Sequence, residues 1–249
     1  MPTLTWNRRL WAAEYDWNRG GEEWSGRWGN SEAQWFHVIY PRIHRAVPAR
    51  IILEIGVGYG RFTQYLLPLC ENLLGVDLAE KCVEACRQRF RKNAKFYLND
   101  GKTLNMVRDS SVDFVFSIDS LVHADPDTLR SYVHEFSRIL KAGGRGFIHH
   151  SNLGAYRDMM GENPHNRDVD MTAELFRKFC VEVSLNCVGQ ELINWGSYDL
   201  IDCFSSIAKN NDEPYVRVEN PDFMTEANHV RLTQAIYERQ RHAVDPVHP

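Results

Sequence analysis

From residue 50 onward, short apolar runs alternate with segments whose apolar residues recur every three to four positions. Ile51 to Ile55 is a branched apolar run that predicts a strand buried on both faces. Arg61 to Leu69 predicts a helix, Asn72 to Asp77 a second strand and Glu80 to Phe90 a second helix. Lys95 to Leu98 predicts a third strand, and Val112 to Ile118 a fourth. The helix predicted over Pro126 to Leu140 has Asp125 as N-cap and Pro126 at its first position. Lys141-Ala142-Gly143-Gly144 ends it, ahead of a fifth strand over Arg145 to His149. Alternation on this scale predicts a parallel sheet with helices on both faces.

The rhythm then changes. Residues 152 to 170 show no period and carry Gly154, Gly161 and Pro164, the pattern of a lid or binding loop. Thr172 to Val183 predicts a helix. Cys187 to Trp195 and Tyr198 to Ile207 predict strands joined by a short turn, so the sheet should finish with an antiparallel pair. The tail from Lys209 is polar, with a candidate helix over Met224 to Arg241 and a loose end at Pro246 to Pro249. At the other end, residues 5 to 48 hold all but one of the seven Trp. Ser31, with Gln34 at the capping-box position, predicts a helix through Trp35, Val38, Ile39 and Ile43 that stops near Val47-Pro48. This aromatic segment reads as a helical cap over one end of the sheet, a wall of a pocket, or both.

The chain of 249 residues is 43% hydrophobic, which suits one domain with one good-sized core. That domain divides into a cap (1–49), an α/β core (50–208) and a C-terminal tail (209–249). A net charge of -4 without a basic block makes nucleic acid a poor partner. The absence of an 18-residue apolar run or a signal-type N-terminus argues against a membrane span or secretion, and for a cytoplasmic protein. None of the six cysteines forms a CxxC pair, and Cys82 and Cys86 lie one helical turn apart, as on a buried face. The N-terminal tryptophans could also hide a homo-oligomer interface.

The stretch that carries candidate chemistry is Leu53-Glu54-Ile55-Gly56-Val57-Gly58-Tyr59-Gly60. A strand, a glycine-rich turn and a helix start make a cradle for a nucleotide-like ligand. A triphosphate site would end Gly-Lys-Ser/Thr, whereas this turn ends Gly60-Arg61-Phe62. A dinucleotide site needs a third glycine three residues after the second, where Arg61 or Thr63 stands. Asp77, ending the second strand, can accept both hydroxyls of a ribose, and Asp100, ending the third, an exocyclic amine of a purine. The implied ligand is an adenosine that needs no phosphate neutralisation.

With these motifs the sequence resembles the class I S-adenosylmethionine-dependent methyltransferases over residues 50 to 207. The resemblance rests on the glycine turn, Gly75-Val76-Asp77, Asn99-Asp100-Gly101, Asp113 to Ser117 with Leu121-Val122-His123, and the Leu140 to Gly144 break. It implies a Rossmann-like sheet of seven strands, mostly parallel with the last antiparallel. It also implies that Gly56, Gly58 and Gly60 pack under the cofactor, that Asp77 holds the ribose and Asp100 the adenine, and that Glu54, Leu78, Gly101 and Ser117 join the cofactor site.

An alcohol acceptor must lose its proton, which calls for a base or a metal ion. Candidates beyond the strand ends are Asp119 and His123 after the fourth strand, and His149, His150 and Asn152 around the end of the fifth. A His-His-Ser-Asn run there is unexpected for core packing. Asn166, Arg167, Asp168 and Asp170 could close over a polyhydroxylated acceptor, although Asp170 or Thr172 could simply cap the next helix. Carboxylates such as Asp119, Asp168, Asp170 and Glu191 could hold Mg²⁺, with Asp119 and Asp170 the pair to test. The aromatic N-terminus, the His-His-Ser-Asn run and Gln190 to Gly196 resemble bacterial sugar O-methyltransferases, including those acting on methylmannose oligosaccharides. The leading expectation is therefore methyl transfer to a sugar hydroxyl. The alternatives are N- or O-methylation of a polyketide, phenol or amine, and a non-catalytic cofactor-binding protein.

Overall fold

The computed structural model describes residues 3–156, 166–196, 198–210 and 212–243. A single sheet runs through it, with strands β1 (Ala49–Ile55), β2 (Cys70–Asp77), β3 (Ala94–Leu98), β4 (Val112–Ser117), β5 (Leu140–Ser151), β6 (Leu185–Trp195), β7 (Tyr198–Lys209) and β8 (Val216–Asn220). Their order across the sheet is β3-β2-β1-β4-β5-β7-β6-β8. β1 to β5 pair in parallel, while β7 runs antiparallel to both β5 and β6. The fold is thus the expected Rossmann-like one, with one correction: the sheet has eight strands. β8 comes from the segment expected to be a polar tail, and it pairs in parallel with β6. Two valines between charged residues give too short an apolar signal to announce a strand, but β6 has backbone groups on that side that need partners.

Burial on both faces follows the strand period. Ile52, Phe114, Phe116, Phe147 and Phe204 join one core, and Leu53, Val115 and Ile148 the other. The second core is covered by α6 (Pro126–Ile139) and α7 (Ala173–Glu182), whose N-caps are Asp125 and Thr172. The first is covered in part by the N-terminal segment. There α1 (Leu4–Arg9) is followed by irregular turns, then α2 (Ser31–Gln34), a π-helical turn over Trp35–Ile39, and α3 (Tyr40–Ile43). The N-cap of α2 is Asn30, one residue before the expected Ser31: its side chain accepts from Ala33 N at 2.8 Å, while Ser31 Oγ bonds Glu22 and Tyr65.

The helix after the glycine turn is shorter than expected. α4 spans only Thr63–Leu66 and gives way to a 3-10 turn containing Pro68, which has no N–H to continue it. α5 (Glu80–Arg89) buries Cys82, Val83 and Cys86 as one face. α8 (Phe223–Ala243) folds back toward the cap, with Phe223 packed against Trp28 and Trp195. Part of the loop expected over 152–170, and the chain end at 246–249, lie outside the described residues. Among the described residues no helix is long and apolar enough to cross a membrane.

Candidate active site

The carboxyl ends of β1, β2, β3 and β4 open into one pocket of about 970 Å³, including its mouth. Its floor is the glycine turn. Gly56 and Gly58 have φ of +75° and +51°, in the region that glycine enters without strain. A Cβ on Gly56 would lie 2.0 Å from Ser120 Oγ, and one on Gly58 would lie 2.9 Å from the Trp17 ring. The turn is anchored to β2 by Gly56 N and Val57 N, which donate to Val76 O, and by Gly58 N, which donates to Asp77 Oδ2 at 2.8 Å. Asp77 Oδ1 accepts from Ala79 N. Burial nevertheless raises the Asp77 carboxyl above its ordinary value, against the pull of these N–H groups. Glu54, also in the lining, is pushed up to about 8 by burial, although Thr63 Oγ1 donates to it at 2.6 Å.

The roof is aromatic. Trp11, Trp17 and Trp24 line the pocket and form one cluster with Tyr15 and Tyr59. Trp17 stacks on Tyr59, and Trp11 lies 5.3 Å from the His123 ring. Asn7 on α1 donates to His123 O at 2.8 Å, pinning this cap to the loop after β4. The other two cap tryptophans with full burial, Trp28 and Trp35, belong to the core instead.

Beside and beneath the pocket runs a file of charged groups. Arg61, stacked on Phe62, donates through Nη2 to Asp119 Oδ2 at 2.6 Å. His149 Nδ1 lies 3.1 Å from Asp119 Oδ1, and His149 Nε2 lies 3.3 Å from Asp202 Oδ2. Arg167 donates to Asp202 through Nε and Nη2. Burial alone would raise the Asp119 and Asp202 carboxyls. Arg61 and His149 outweigh it at Asp119, and Arg167 and His149 do so at Asp202, so both stay well below the usual carboxylate range. Burial also opposes charge on His149, but its two carboxylate neighbours prevail and its pKa is raised.

The candidates from sequence separate on this geometry. Glu54, Gly56, Gly58, Asp77, Leu78, Gly101, Asp119 and His123 all line the pocket. Gly60 does not: its φ is +83° and a Cβ there would stand 2.3 Å from the Phe90 ring, so it is a packing glycine. Ser117 is buried behind the turn and donates to Ile55 O. Asp100 is exposed, and its carboxylate accepts from Lys102 N, Thr103 N and Thr103 Oγ1, so the turn itself uses it. Its neighbour Asn99 lines the pocket, held by Gly101 N, Tyr132 Oη and Thr103 O.

The structure separates His149 from His150. They are consecutive in β5 and point to opposite faces. His149 sits behind Asp119, while His150 stacks on Phe176 of α7 at 4.4 Å and bonds Ser151 O and Ser205 Oγ. Neither lines the pocket. The magnesium expectation is corrected. Asp119 already faces Arg61 and His149, groups that repel a cation, and Asp170 is exposed beyond the pocket lining. Among the described residues no cluster of three or more His, Cys, Asp or Glu has a metal-binding arrangement.

Sequence reasoning missed Asn99 and Asp202, and it gave Arg61 no role in the site. Asp202 had a visible signal: it is the one ionised residue between Leu200 and Ile207, in a strand that is otherwise apolar or small.

Residues 53–148 match the protein family described as "Methyltransferase domain". Curated relatives include the biotin biosynthesis bifunctional protein BioHC of Cellvibrio japonicus, 35% identical over 103 residues, or 41% of this chain. A phosphoethanolamine N-methyltransferase of Triticum aestivum is 30% identical over 147 residues, or 55% of this chain. The chain spans only 20% and 29% of the lengths of these two relatives. Among solved structures, the PH0226 protein of Pyrococcus horikoshii aligns over 81% of this chain and 95% of its own, with TM-score 0.57 and 17% identity. An S-adenosylmethionine-dependent methyltransferase of Clostridium acetobutylicum aligns over 80% of this chain and 94% of its own, with the same score and identity. Residues 53–148 are thus similar to a methyltransferase domain, and the chain has the fold of the solved S-adenosylmethionine-dependent methyltransferases.

Proposed function

We propose that this protein transfers the methyl group of S-adenosylmethionine to a hydroxyl of a small sugar or oligosaccharide. The observation that carries this reading is one shared pocket. It brings together the glycine turn, an acidic residue at the end of β2, and two proton acceptors, Asp119 and His123, under a roof of tryptophans.

The pocket fits the cofactor on its own geometry. A glycine floor with no room for a Cβ admits a close ligand, and the buried Asp77 carboxylate borders the same space. Asp77 would hold the ribose hydroxyls, while Leu78, Asn99 and Gly101 would border the adenine. Glu54, with Gly56 and Gly58, would face the amino-acid end. The bound cofactor supplies an activated methyl on a sulfonium, so the protein's task is to align an acceptor and take up one proton.

Two groups can take that proton. A carbonyl oxygen can only accept, so the 2.8 Å contact to Asn166 O puts the His123 proton on Nδ1 and leaves Nε2 as an acceptor. Burial and the nearby Arg167 lower His123 to about 4, so it is neutral at pH 7. Such a weak base suffices, because a hydroxyl oxygen becomes strongly acidic as it gains the methyl. Asp119, held ionised by its cations, can accept a second hydroxyl. Trp11 and Trp24 offer flat faces to the apolar side of a sugar ring.

A second reading is N-methylation of an amine. It draws on the relative named phosphoethanolamine N-methyltransferase and on the aromatic roof, which also suits a cation. An acceptor screen with methyl-labelled cofactor over mono- and oligosaccharides, phenols and amines separates the two. Label in sugars supports the first reading, and label confined to amines overturns it. Failure of S-adenosylhomocysteine to bind in calorimetry would remove the cofactor assignment altogether.

A further inference from the structure

Two consecutive residues of one loop hold the two proton acceptors of the pocket from behind. Asn166 O receives the His123 Nδ1 hydrogen bond. Arg167 grips Asp202, which faces His149, which faces Asp119. The stretch that follows them is itself fixed: Asp168 N donates to Val122 O, Ser151 Oγ donates to Asp168 O, and the Asp168 carboxylate accepts from Asp170 N and Met171 N. The Arg167 guanidinium lies 5.0 Å from the centre of the Trp195 ring. Arg167, Asp202 and His149 are all buried, and none of them lines the pocket.

We propose that Arg167 and Asp202 are positioning residues of the transfer site: through His149 they set the orientation of the Asp119 carboxylate toward the acceptor. This rests on the methyltransferase reading above, since it assigns Asp119 to the acceptor side. The geometry around His149 shows how the setting works. Its Nδ1 faces both Asp119 Oδ1, at 3.1 Å, and Asp119 N, at 3.2 Å. It cannot donate to the carboxylate and accept from the N–H at once. An imidazolium donates to the carboxylate and fixes it. A neutral ring that donates through Nε2 to Asp202 instead receives the Asp119 N–H and leaves Oδ1 without that bond. Asp119 is held at φ +56°, in the left-handed region that Asp tolerates better than most residues, so its backbone can present both groups to the ring.

Among the described residues, the charged groups around His149 are few. Asp119 follows β4 and Asp202 lies on β7, with Arg61 and Arg167 one bond further out. Its other ring neighbours are Phe204 and Trp195. Asp202 thus faces the ring from the side away from the pocket and, with Asp119, favours its charged form. Well-packed apolar residues often replace a buried ion pair without loss of stability, so stability alone does not explain a file of five charged groups that ends at the pocket.

The test uses the full chain and the variants Asp202→Asn, Arg167→Met and Arg167→Lys. We expect S-adenosylhomocysteine affinity within about threefold of wild type by calorimetry. With the best acceptor of the screen, kcat should fall about 10- to 100-fold in Asp202→Asn and Arg167→Met, the scale of an ångström-level misplacement. Arg167→Lys should recover part of the loss. The pH profile of kcat should shift in Asp202→Asn, which a purely structural role would not produce. A folded Asp202→Asn with wild-type kcat and pH profile would overturn the proposal. So would a loss of kcat matched by an equal loss of cofactor affinity. Imidazole NMR keeps the test independent of turnover: the His149 pKa should drop in both Asp119→Asn and Asp202→Asn, and an unchanged titration in Asp202→Asn sinks the idea. If wild type methylates nothing while that coupling is present, the functional reading fails and the wiring of His149 stands.

Discussion

Trp17 lies on Tyr59 with ring centroids 5.1 Å apart and planes 5° from parallel, and the same indole covers Gly58. The cap is therefore built onto the glycine turn and shapes the pocket from above. Gly58→Ala should add strain at φ +51° and push the indole off its seat, because the new methyl would meet the ring at 2.9 Å. We expect S-adenosylhomocysteine affinity to fall by tenfold or more, with a lowered Tm. Trp17→Ala should relieve the clash, so the Gly58 change should lower Tm less in that background than in wild type. A double-mutant cycle in Tm reads the coupling directly.

Gly60 tests a different role at the same turn. Its missing Cβ faces Phe90, outside the pocket lining. Gly60→Ala should destabilise the fold by about 1–3 kcal/mol through a strained backbone and a ring that must move. Phe90→Leu should recover part of that loss in the double variant. Urea denaturation measures both, and cofactor affinity should change less than in Gly58→Ala.

Glu54 predicts a fall in stability between pH 4.5 and about pH 8. Its folded carboxyl is raised to about 8 from 4.5, so between those values the folded state holds a proton that the unfolded state has released. Its contribution is fully present below pH 4.5 and is lost as pH rises through 8. Glu54→Gln should remove this slope, stabilising the protein more at pH 8 than at pH 5. Denaturant midpoints at the two pH values check the sign.

How much of this was legible in the sequence depends on how local each signal was. The glycine turn, Asp77 and the β6–β7 hairpin could be read because each rests on residues adjacent in the chain. The adenine expectation fell on Asp100, whereas the pocket is lined by its neighbour Asn99. The turn after β3 decides which of two neighbouring side chains points inward, and here Asn99 does while Asp100 serves the turn. The two histidines looked like one constellation because the strand was expected to end at His149. β5 continues to Ser151, and continued pleating sends His150 to the opposite face. The Arg61–Asp119–His149–Asp202–Arg167 file joins residues up to 141 positions apart, a separation no local pattern encodes.

His150 gives the sharpest contrast with its neighbour. It lies against Phe176, bonded to Ser151 O and Ser205 Oγ, and burial pushes it down to about 4. An unfolded His near 6.5 binds a proton that the folded ring refuses, so its contribution is full above pH 6.5 and falls as pH drops toward 4. From pH 7 to pH 5 that is a loss of about 2 kcal/mol. His123, also lowered to about 4, adds in the same direction, whereas His149, whose pKa is raised, opposes it. His150→Leu should therefore flatten the fall in stability between pH 7 and pH 5, measured by urea denaturation at each pH. It should also keep most of the methyl-transfer rate at pH 7.5, since the ring borders no part of the pocket. His149→Ala should lose that rate while retaining cofactor binding. Equal losses of rate in the two variants would mean that β5 supplies a functional histidine pair after all.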